Sequence, residues 1–136
     1  MGLVYENLIL KNAIDVGNCR RGIIGESDIR QVRVLAIVDT GAETLVINEC
    51  IRQELGLEVL GEKQVSLANE ASEICNITEP VEIHWKDRFT AINALVLDEM
   101  TEVLLGAIPL EGMNVIIDPV NRQLVGAHGD KVIFKV

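Results

Sequence analysis

The chain has 136 residues, of which 49% are hydrophobic and 24% are charged, a composition that indicates a globular protein rather than a disordered one. Its net charge is −9 and it has no basic stripe, which argues against nucleic acid as a partner. No apolar run approaches the ~20 residues that a membrane helix needs, so no membrane partner is expected. The length fits one domain spanning residues 1–136.

The cysteines and the first residues favour a cytoplasmic location. Cys19, Cys50 and Cys75 are odd in number and widely spaced, so neither a disulfide framework nor a zinc site is suggested. The segment "MGLVYENLIL" lacks the basic region of a signal peptide. We therefore expect three reduced thiols in a cytoplasmic protein.

The first third of the chain is predicted to be mostly strand. Leu3–Asn12 forms the first predicted strand, and Ala13–Ser27, which holds three glycines, is predicted as loop around a short strand near Ile23. Ile29–Val38 begins as an alternating polar and apolar strand and then becomes entirely apolar. We expect this strand to be buried on both faces as it approaches Asp39.

One main helix is predicted, in the segment "NECIRQELGL". Asn48 is suited to cap its start, and Gly56 stands where a left-handed glycine ends a helix. Ile51 and Leu55 are expected to face the core, with Cys50 as a further candidate.

The rest of the chain is predicted to consist of short strands and turns. Lys86, Asp87 and Arg88 are expected at the tip of one turn. The predicted elements are strands at Lys63–Ala68, Glu73–Thr78, Val81–Trp85 and Phe89–Leu97, a short strand before Gly106, a helical turn near Pro109, a hairpin in "NVIIDPVNRQLVG" and a final strand in "KVIFKV". The pattern predicts a mainly β fold, either a barrel or a sandwich.

The stretch "VLAIVDTGAETLVI" interrupts apolar sequence with Asp39, Thr40 and Gly41. A lone carboxylate in a core is costly unless it is paired, hydrogen-bonded or protonated. On a loop between two apolar strands an aspartate is held by a rigid scaffold, as catalysis requires. The alternative is an ordinary turn, because Asp, Thr and Gly are all common turn residues. The two flanking strands and the later "EVLLG" favour the catalytic interpretation.

Two segments, "AIVDTGAETLVI" and "VLLGAIPLEGMNVIIDPVNRQLV", together resemble the retropepsin-like (clan AA) aspartic proteases, and more closely their single-lobe bacterial relatives. The shared pattern is an apolar strand, Asp-Thr-Gly-Ala, a second apolar strand, and later two apolar residues and a glycine. The resemblance extends over about Tyr5–Val125. It implies a closed β-barrel lobe that acts as a homodimer, an aspartic endopeptidase activity on polypeptide substrates, and no metal or other cofactor.

The resemblance also implies roles for particular residues. Asp39 of each subunit would be catalytic, and the two carboxyls would share one proton and activate a water molecule. Thr40, Gly41 and Ala42 would support the catalytic loop, and Thr40 would hydrogen-bond across the dimer. The apolar-apolar-Gly element that packs behind this loop corresponds to Leu104, Leu105 and Gly106.

Two departures from the family pattern concern the handling of substrate. The candidate for the mobile hairpin, or flap, is Ser66–Ile74, which has no glycine, and Asn69 is expected to be its left-handed residue. Retroviral members follow the late glycine with an arginine, but Ala107 stands there. Glu43 therefore binds substrate, pairs with another arginine or stays solvated, which is the default. The candidate substrate-binding residues are Glu43, Ala68, Asn69 and Glu70.

A second hypothesis belongs to another functional class. The same fold could be kept as a non-proteolytic, dimeric peptide-binding or assembly module, as the glycine-free flap and the missing arginine suggest. The intact Asp-Thr-Gly favours the protease.

The two histidines do not predict a metal site. His84 and His128 are far apart and lack the spacing of metal ligands, so His84 is expected to pack beside Trp85. Asp118 is expected to cap the turn that begins at Pro119.

Overall fold

The computed structural model describes residues 3–67, 69–98 and 102–136. Within these residues the chain forms nine strands and three helices, and a short 3-10 turn at Glu26–Asp28 precedes the second strand. In chain order they are β1 (Val4–Asn12), α1 (Ala13–Arg20), β2 (Gln31–Val38), β3 (Leu45–Ile47), α2 (Glu49–Leu55), β4 (Val59–Ser66), β5 (Ser72–Trp85), β6 (Arg88–Val96), β7 (Val103–Leu105), α3 (Ala107–Met113), β8 (Val115–Asp118) and β9 (Gln123–Gly126).

Six strands close into a barrel in the order β1-β2-β7-β3-β6-β5, because β5 pairs back with β1. β2 runs parallel to β7 and β3 runs parallel to β6, whereas the other neighbours in the ring are antiparallel. Closure covers the hydrogen-bonding edges of these six strands. The prediction of a mainly β fold built on a closed barrel is confirmed.

The barrel interior is filled by one aliphatic cluster. Side chains alternate along β1, so that Leu8 and Leu10 are buried while Tyr5 is exposed. Branched aliphatic residues supply almost all of the core, as expected for a chain with only 3% aromatic residues. The largest fully buried side chains include Leu45, Ile47, Leu55, Leu57, Ile83, Leu105, Met113 and Leu124.

Helix α2 lies where it was predicted. The Oδ1 atom of Asn48 accepts a hydrogen bond from the backbone N–H of Ile51 at 2.9 Å, and Gly56 ends the helix with φ 62°. Leu55 is fully buried, but Cys50 is exposed, so its expected position in the core was wrong. The reason is that α2 has only seven residues and presents a narrow face to the barrel.

The prediction of a single main helix was wrong, because α1 replaces the loop expected after β1. Asn12 is fully buried, accepts a hydrogen bond from the N–H of Asp15 at 3.0 Å and donates one to the last turn of α2 at 2.8 Å. Arg30 then binds Asp15 through Nε at 2.8 Å. These partners are distant in sequence, and they stabilise a helix that Gly17 weakens locally.

Helix α3 is longer than the single turn expected near Pro109. It has seven residues, follows Gly106 and ends at Asn114, which is left-handed with φ 58°. Pro109, Leu110 and Met113 are buried, and the helix packs against β6 and β8. Burial of this apolar face therefore extends the turn into a helix.

Several predicted strands differ from the structure. The short strand expected near Ile23 does not form, and β4 begins at Val59 rather than at Lys63. The expected break at Glu79 and Pro80 does not occur, because a register irregularity between Ile77 and Pro80 lets β5 continue as one strand. The expected final strand, 131–136, does not form. Instead the side chain of Asn114 binds the backbone N–H and C=O of Ile133 at 3.1 and 3.0 Å.

The turn between β5 and β6 has only Lys86 and Asp87 at its tip, so the expected place of Arg88 there was wrong. Arg88 belongs to β6 and is 6% exposed. Its guanidinium donates hydrogen bonds to backbone carbonyls, which lie on Met113, Asn114, Gly129 and Lys131. This arginine therefore ties α3 to the C-terminal segment.

Candidate active site

Asp39 lies at the barrel rim, directly after the last residue of β2. Its backbone N–H donates to the carbonyl of Leu105 on β7 at 3.0 Å. Its Oδ1 atom accepts from the N–H of Gly41 at 2.8 Å, and its carbonyl accepts from the N–H of Ala42 at 3.2 Å. These bonds fix both the backbone and the carboxylate of Asp39 within a tight turn.

Asp39, Thr40 and Gly41 are all exposed in the chain, so the expected burial of Asp39 was wrong. The expected two-sided burial of β2 was wrong as well, because Leu35 is 55% exposed. The physical reason is that β2 buries only its inner face, through Ala36 and Val38, and that the outer face near Asp39 is uncovered in a single chain.

The segment 39–44, here called the Asp39 loop, is docked against the start of α3. Gly106 donates to the carbonyl of Thr44 at 2.9 Å, and Ala107 donates to that of Ala42 at 2.8 Å. A Cβ atom at position 106 would lie 2.5 Å from the oxygen of Thr44 and 2.7 Å from that of Ala42. Only glycine therefore fits directly behind the Asp39 loop.

The three residues of the apolar-apolar-Gly element have different surroundings. Leu105 is fully buried in the barrel, and Gly106 is buried behind the Asp39 loop. Leu104 points the other way, is only half-buried, and pairs with Ile37 of β2. Ile37 and Leu104 thus form an apolar patch on the outer face near Asp39, so Leu104 packs differently from Leu105 although both belong to the same predicted element.

Glu43 is exposed, and among the described residues it forms no ion pair. Its carbonyl accepts a hydrogen bond from the N–H of Ile108 at 2.9 Å. The backbone of Glu43 is thus fixed, whereas its side chain is exposed.

The β4–β5 hairpin holds the other predicted site residues. At its tip Leu67 donates to the carbonyl of Ala71 at 2.8 Å, and Glu70 donates to that of Leu67 at 2.9 Å. Glu70, with φ 67°, is left-handed in place of Asn69. The reason is that the Asn69 side chain accepts a hydrogen bond from the N–H of Ala71 at 3.0 Å. The left-handed residue of the turn is therefore the next one, Glu70. Ala68 lies outside the described residues.

A cavity of about 410 Å³ opens beside Asp39. Six of its nine lining residues are apolar, Thr40 supplies a hydroxyl, and the charged ones are Asp39 and Arg122. The lining of this Asp39 cavity consists of Leu3, Val4, Ile37, Val38, Asp39, Thr40, Ile117, Pro119 and Arg122. Sequence reasoning missed Arg122, because no local signal connects a hairpin turn with a loop about eighty residues earlier.

His84 and Asp118 make local contacts that stabilise the fold. His84 lies 2.8 Å from Glu82 and stacks on Phe89 with ring centroids 5.4 Å apart. Asp118 caps its turn as predicted, and hydrogen bonds from Asn121 hold the pKa of Asp118 below its usual value. Across the described ranges no three His, Cys, Asp or Glu side chains are grouped to hold a metal ion.

The comparisons with known proteins agree with this geometry. The barrel and the rim aspartate define a retropepsin-like lobe, as the sequence resemblance predicted, and the fold is similar to that of a solved retroviral protease-like domain. The family model described as aspartyl protease matches residues 24–107, more than half of the chain, so the chain belongs to the aspartyl protease family.

Two solved structures are similar to the chain. The retroviral protease-like domain of Ddi1 from Leishmania major is 16% identical, covers 97% of this chain and 91% of its own, and gives a TM-score of 0.56. A retropepsin-like aspartic protease from Rickettsia conorii is 19% identical, with 87% and 90% covered and a TM-score of 0.49. A comparison with curated protein sequences finds no match. None of the helices in the described part of the chain is long and apolar enough to cross a membrane.

Proposed function

We propose that the protein is a homodimeric aspartic endopeptidase in which Asp39 of each subunit contributes half of the active site. The observation that carries the proposal is the placement of Asp39, whose carboxylate is exposed at the rim on a loop fixed by Gly106. Membership in the aspartyl protease family supports it. The sequence has one Asp-Thr-Gly, so a catalytic pair of aspartates requires two chains.

In the proposed mechanism the two Asp39 carboxyls lie close together and share one proton, because both cannot be ionised at short distance. The ionised carboxylate takes a proton from a water molecule as its oxygen attacks the peptide carbonyl carbon. The protonated carboxyl donates a hydrogen bond to the carbonyl oxygen, and a proton then passes to the leaving nitrogen as the C–N bond breaks.

The exposure of Asp39 in one chain is consistent with this dimer. A lone carboxylate at the rim is hydrated, and the second subunit would remove that water and bring the second carboxyl. Thr40 is exposed beside it and would hydrogen-bond across the two-fold axis, while Gly41 and Ala42 would keep the turn narrow.

The β4–β5 hairpin is the proposed flap. β4 lies at the end of the sheet order and, among the described residues, pairs only with β5. Its outer edge would thus be available to hydrogen-bond an extended peptide. Glu43 on the Asp39 loop and Asn69 and Glu70 at the hairpin tip are exposed and are the proposed substrate contacts, together with Ala68.

Peptide cleavage by the wild-type protein and its Asp39→Asn variant tests the proposal. We expect cleavage of a peptide library at mildly acidic pH, and a loss of at least about a thousand-fold in kcat/KM in the variant, because the amide cannot act as a base. Asp130→Asn, at an exposed position, is the matched control and should retain activity. The absence of cleavage, or equal cleavage by Asp39→Asn, would contradict the proposal.

A non-proteolytic peptide-binding module of the same fold is the second candidate. It is favoured by the hairpin tip, where Glu70 rather than a glycine holds the left-handed position. Peptide binding that survives Asp39→Asn, without turnover by either protein, would support this candidate.

The proposal also treats residues 1–136 as one working domain in the cytoplasm. The single aliphatic core supports the first part, and the odd, dispersed cysteines support the second. Limited proteolysis that leaves a stable internal fragment would contradict the first part, and recovery of the protein in a secreted fraction would contradict the second.

A further inference from the structure

The turn between β8 and β9 adjoins the Asp39 cavity, because Pro119 and Arg122 line it. We infer that a second copy of the chain inserts the Val120 side chain of its β8–β9 turn into this cavity, and that the two copies exchange the contact about a two-fold axis. The inference rests on the proposed function, because it names the contact that brings the two Asp39 residues together.

The cavity wall identifies the occupant as a second chain rather than as substrate. No described residue of the β4–β5 hairpin lines the cavity, so the proposed flap does not enclose it. Asp39 and Thr40 do line it, and in the proposed dimer these two residues lie at the two-fold axis. A cavity that they line would therefore lie beside the partner chain in that dimer.

The chemistry of Val120 matches the cavity. Val120 is 85% exposed, and among the exposed large apolar residues of the described chain only the terminal Val136 is more so. The cavity offers six apolar side chains to a branched aliphatic group, and burial of that group would remove apolar surface of both chains from water.

The turn that carries Val120 is already ordered. The carboxylate of Asp118 accepts from the N–H of Val120 at 3.0 Å and from that of Asn121 at 3.3 Å. At the start of β9, the N–H of Leu124 donates to the Glu6 carboxylate at 2.6 Å. Because the turn is held before contact, its insertion costs little conformational entropy.

The charges of the cavity also fit a second copy. Arg122 takes part in no ion pair within the described residues, and it lines the cavity together with Asp39. A two-fold contact brings both Arg122 cations to the Asp39 pair, which keeps one negative charge because its carboxyls share a proton.

Sedimentation of the wild-type protein and of Val120→Asp over a range of concentrations tests the inference. We expect a wild-type dimer and a dissociation constant at least about a hundred-fold higher in the variant, because a charge enters an apolar cavity twice per dimer. Ile23→Asp is the matched control, since Ile23 is 67% exposed on the loop after α1, and it should not change the dissociation constant. Circular dichroism of the variants should match the wild type.

Disulfide trapping gives a second, independent readout. In a Cys19→Ser, Cys50→Ser background, Leu3→Cys with Val120→Cys should form a covalent dimer under mild oxidation, whereas Ile23→Cys with Val120→Cys should not. A wild-type monomer at all concentrations, a dimer insensitive to Val120→Asp, or no trapping would each overturn the inference. A Val120-dependent dimer that cleaves no peptide would refute the proposed function alone, and an active dimer insensitive to Val120→Asp would refute this inference alone.

Discussion

The Asp39 loop and the tip of the β4–β5 hairpin are both short turns, but they are held in different ways. The Asp39 loop is held by hydrogen bonds to residues of other parts of the chain, namely Leu105, Gly106, Ala107, Ile108 and Asn93. The hydrogen bonds given by the described residues of the hairpin tip stay within the segment 67–71. One barrel therefore holds the Asp39 loop through several of its elements, whereas the hairpin tip depends on its own local hydrogen bonds.

The largest effect is expected where the Asp39 loop meets its support. Gly106→Ala should lower the free energy of unfolding by about 3 kcal/mol, because the added methyl would overlap backbone atoms of Thr44 and Ala42. Urea unfolding measures the change.

Gly61→Ala is the control for this substitution. A Cβ atom at Gly61 on β4 would meet nothing within 4 Å, so the change in stability should stay within about 0.5 kcal/mol. Equal effects at positions 61 and 106 would show that the Asp39 loop is not packed as described.

A smaller effect is expected at a site that touches neither turn. Asp15 is bound by Arg30, whose hydrogen bonds lower the pKa of Asp15, and Arg30 itself is half-exposed. Asp15→Asn should therefore cost about 1–2 kcal/mol at neutral pH, after allowance for solvent screening. Unfolding measured as a function of pH tests this, and kcat/KM should not change.

The sign of the pH dependence follows from the lowered pKa. The ionised Asp15 stabilises the fold above its unfolded pKa of about 3.8, and this contribution is lost as the pH falls through the lower, folded pKa. The difference between wild type and Asp15→Asn should thus be constant near neutrality and should shrink below about pH 4. A difference that grows on acidification would contradict the role given to Arg30.

The smallest effect is expected at the hairpin tip. Glu70→Gly should stabilise the protein by about 0.5–1 kcal/mol, because glycine adopts the left-handed conformation of position 70 without strain. Glu73→Gly, on the extended strand β5, should instead destabilise it by a similar amount. Thermal unfolding distinguishes the two variants, and the same sign at both positions would contradict the assigned turn.

Sequence predicted the features that depend on neighbouring residues. Helix α2 was located from its Asn48 cap and its Gly56 end, and the hairpin of β8 and β9 from its Asp-Pro turn. These signals act over a few residues, so one sequence is enough to read them.

The features that were missed depend on distant partners. Helix α1 requires Arg30 and the contact of Asn12 with α2, and neither is visible within the segment itself. Arg88 appeared to belong to a solvated turn, but carbonyls from the last quarter of the chain surround it. Asp39 was expected to be buried because both flanking strands are apolar. In the structure the outer face of β2 is apolar but exposed, so apolar sequence alone did not indicate burial.

The parallel pairing of β2 with β7 has a consequence for the order of folding. Val38 lies opposite Leu105, so the two strands that flank the rim are separated by more than sixty residues of chain. Loop closure over such a distance is slow and occurs late. During synthesis the Asp-Thr-Gly segment therefore emerges long before its support exists, and it acquires a fixed shape only once the barrel is nearly complete.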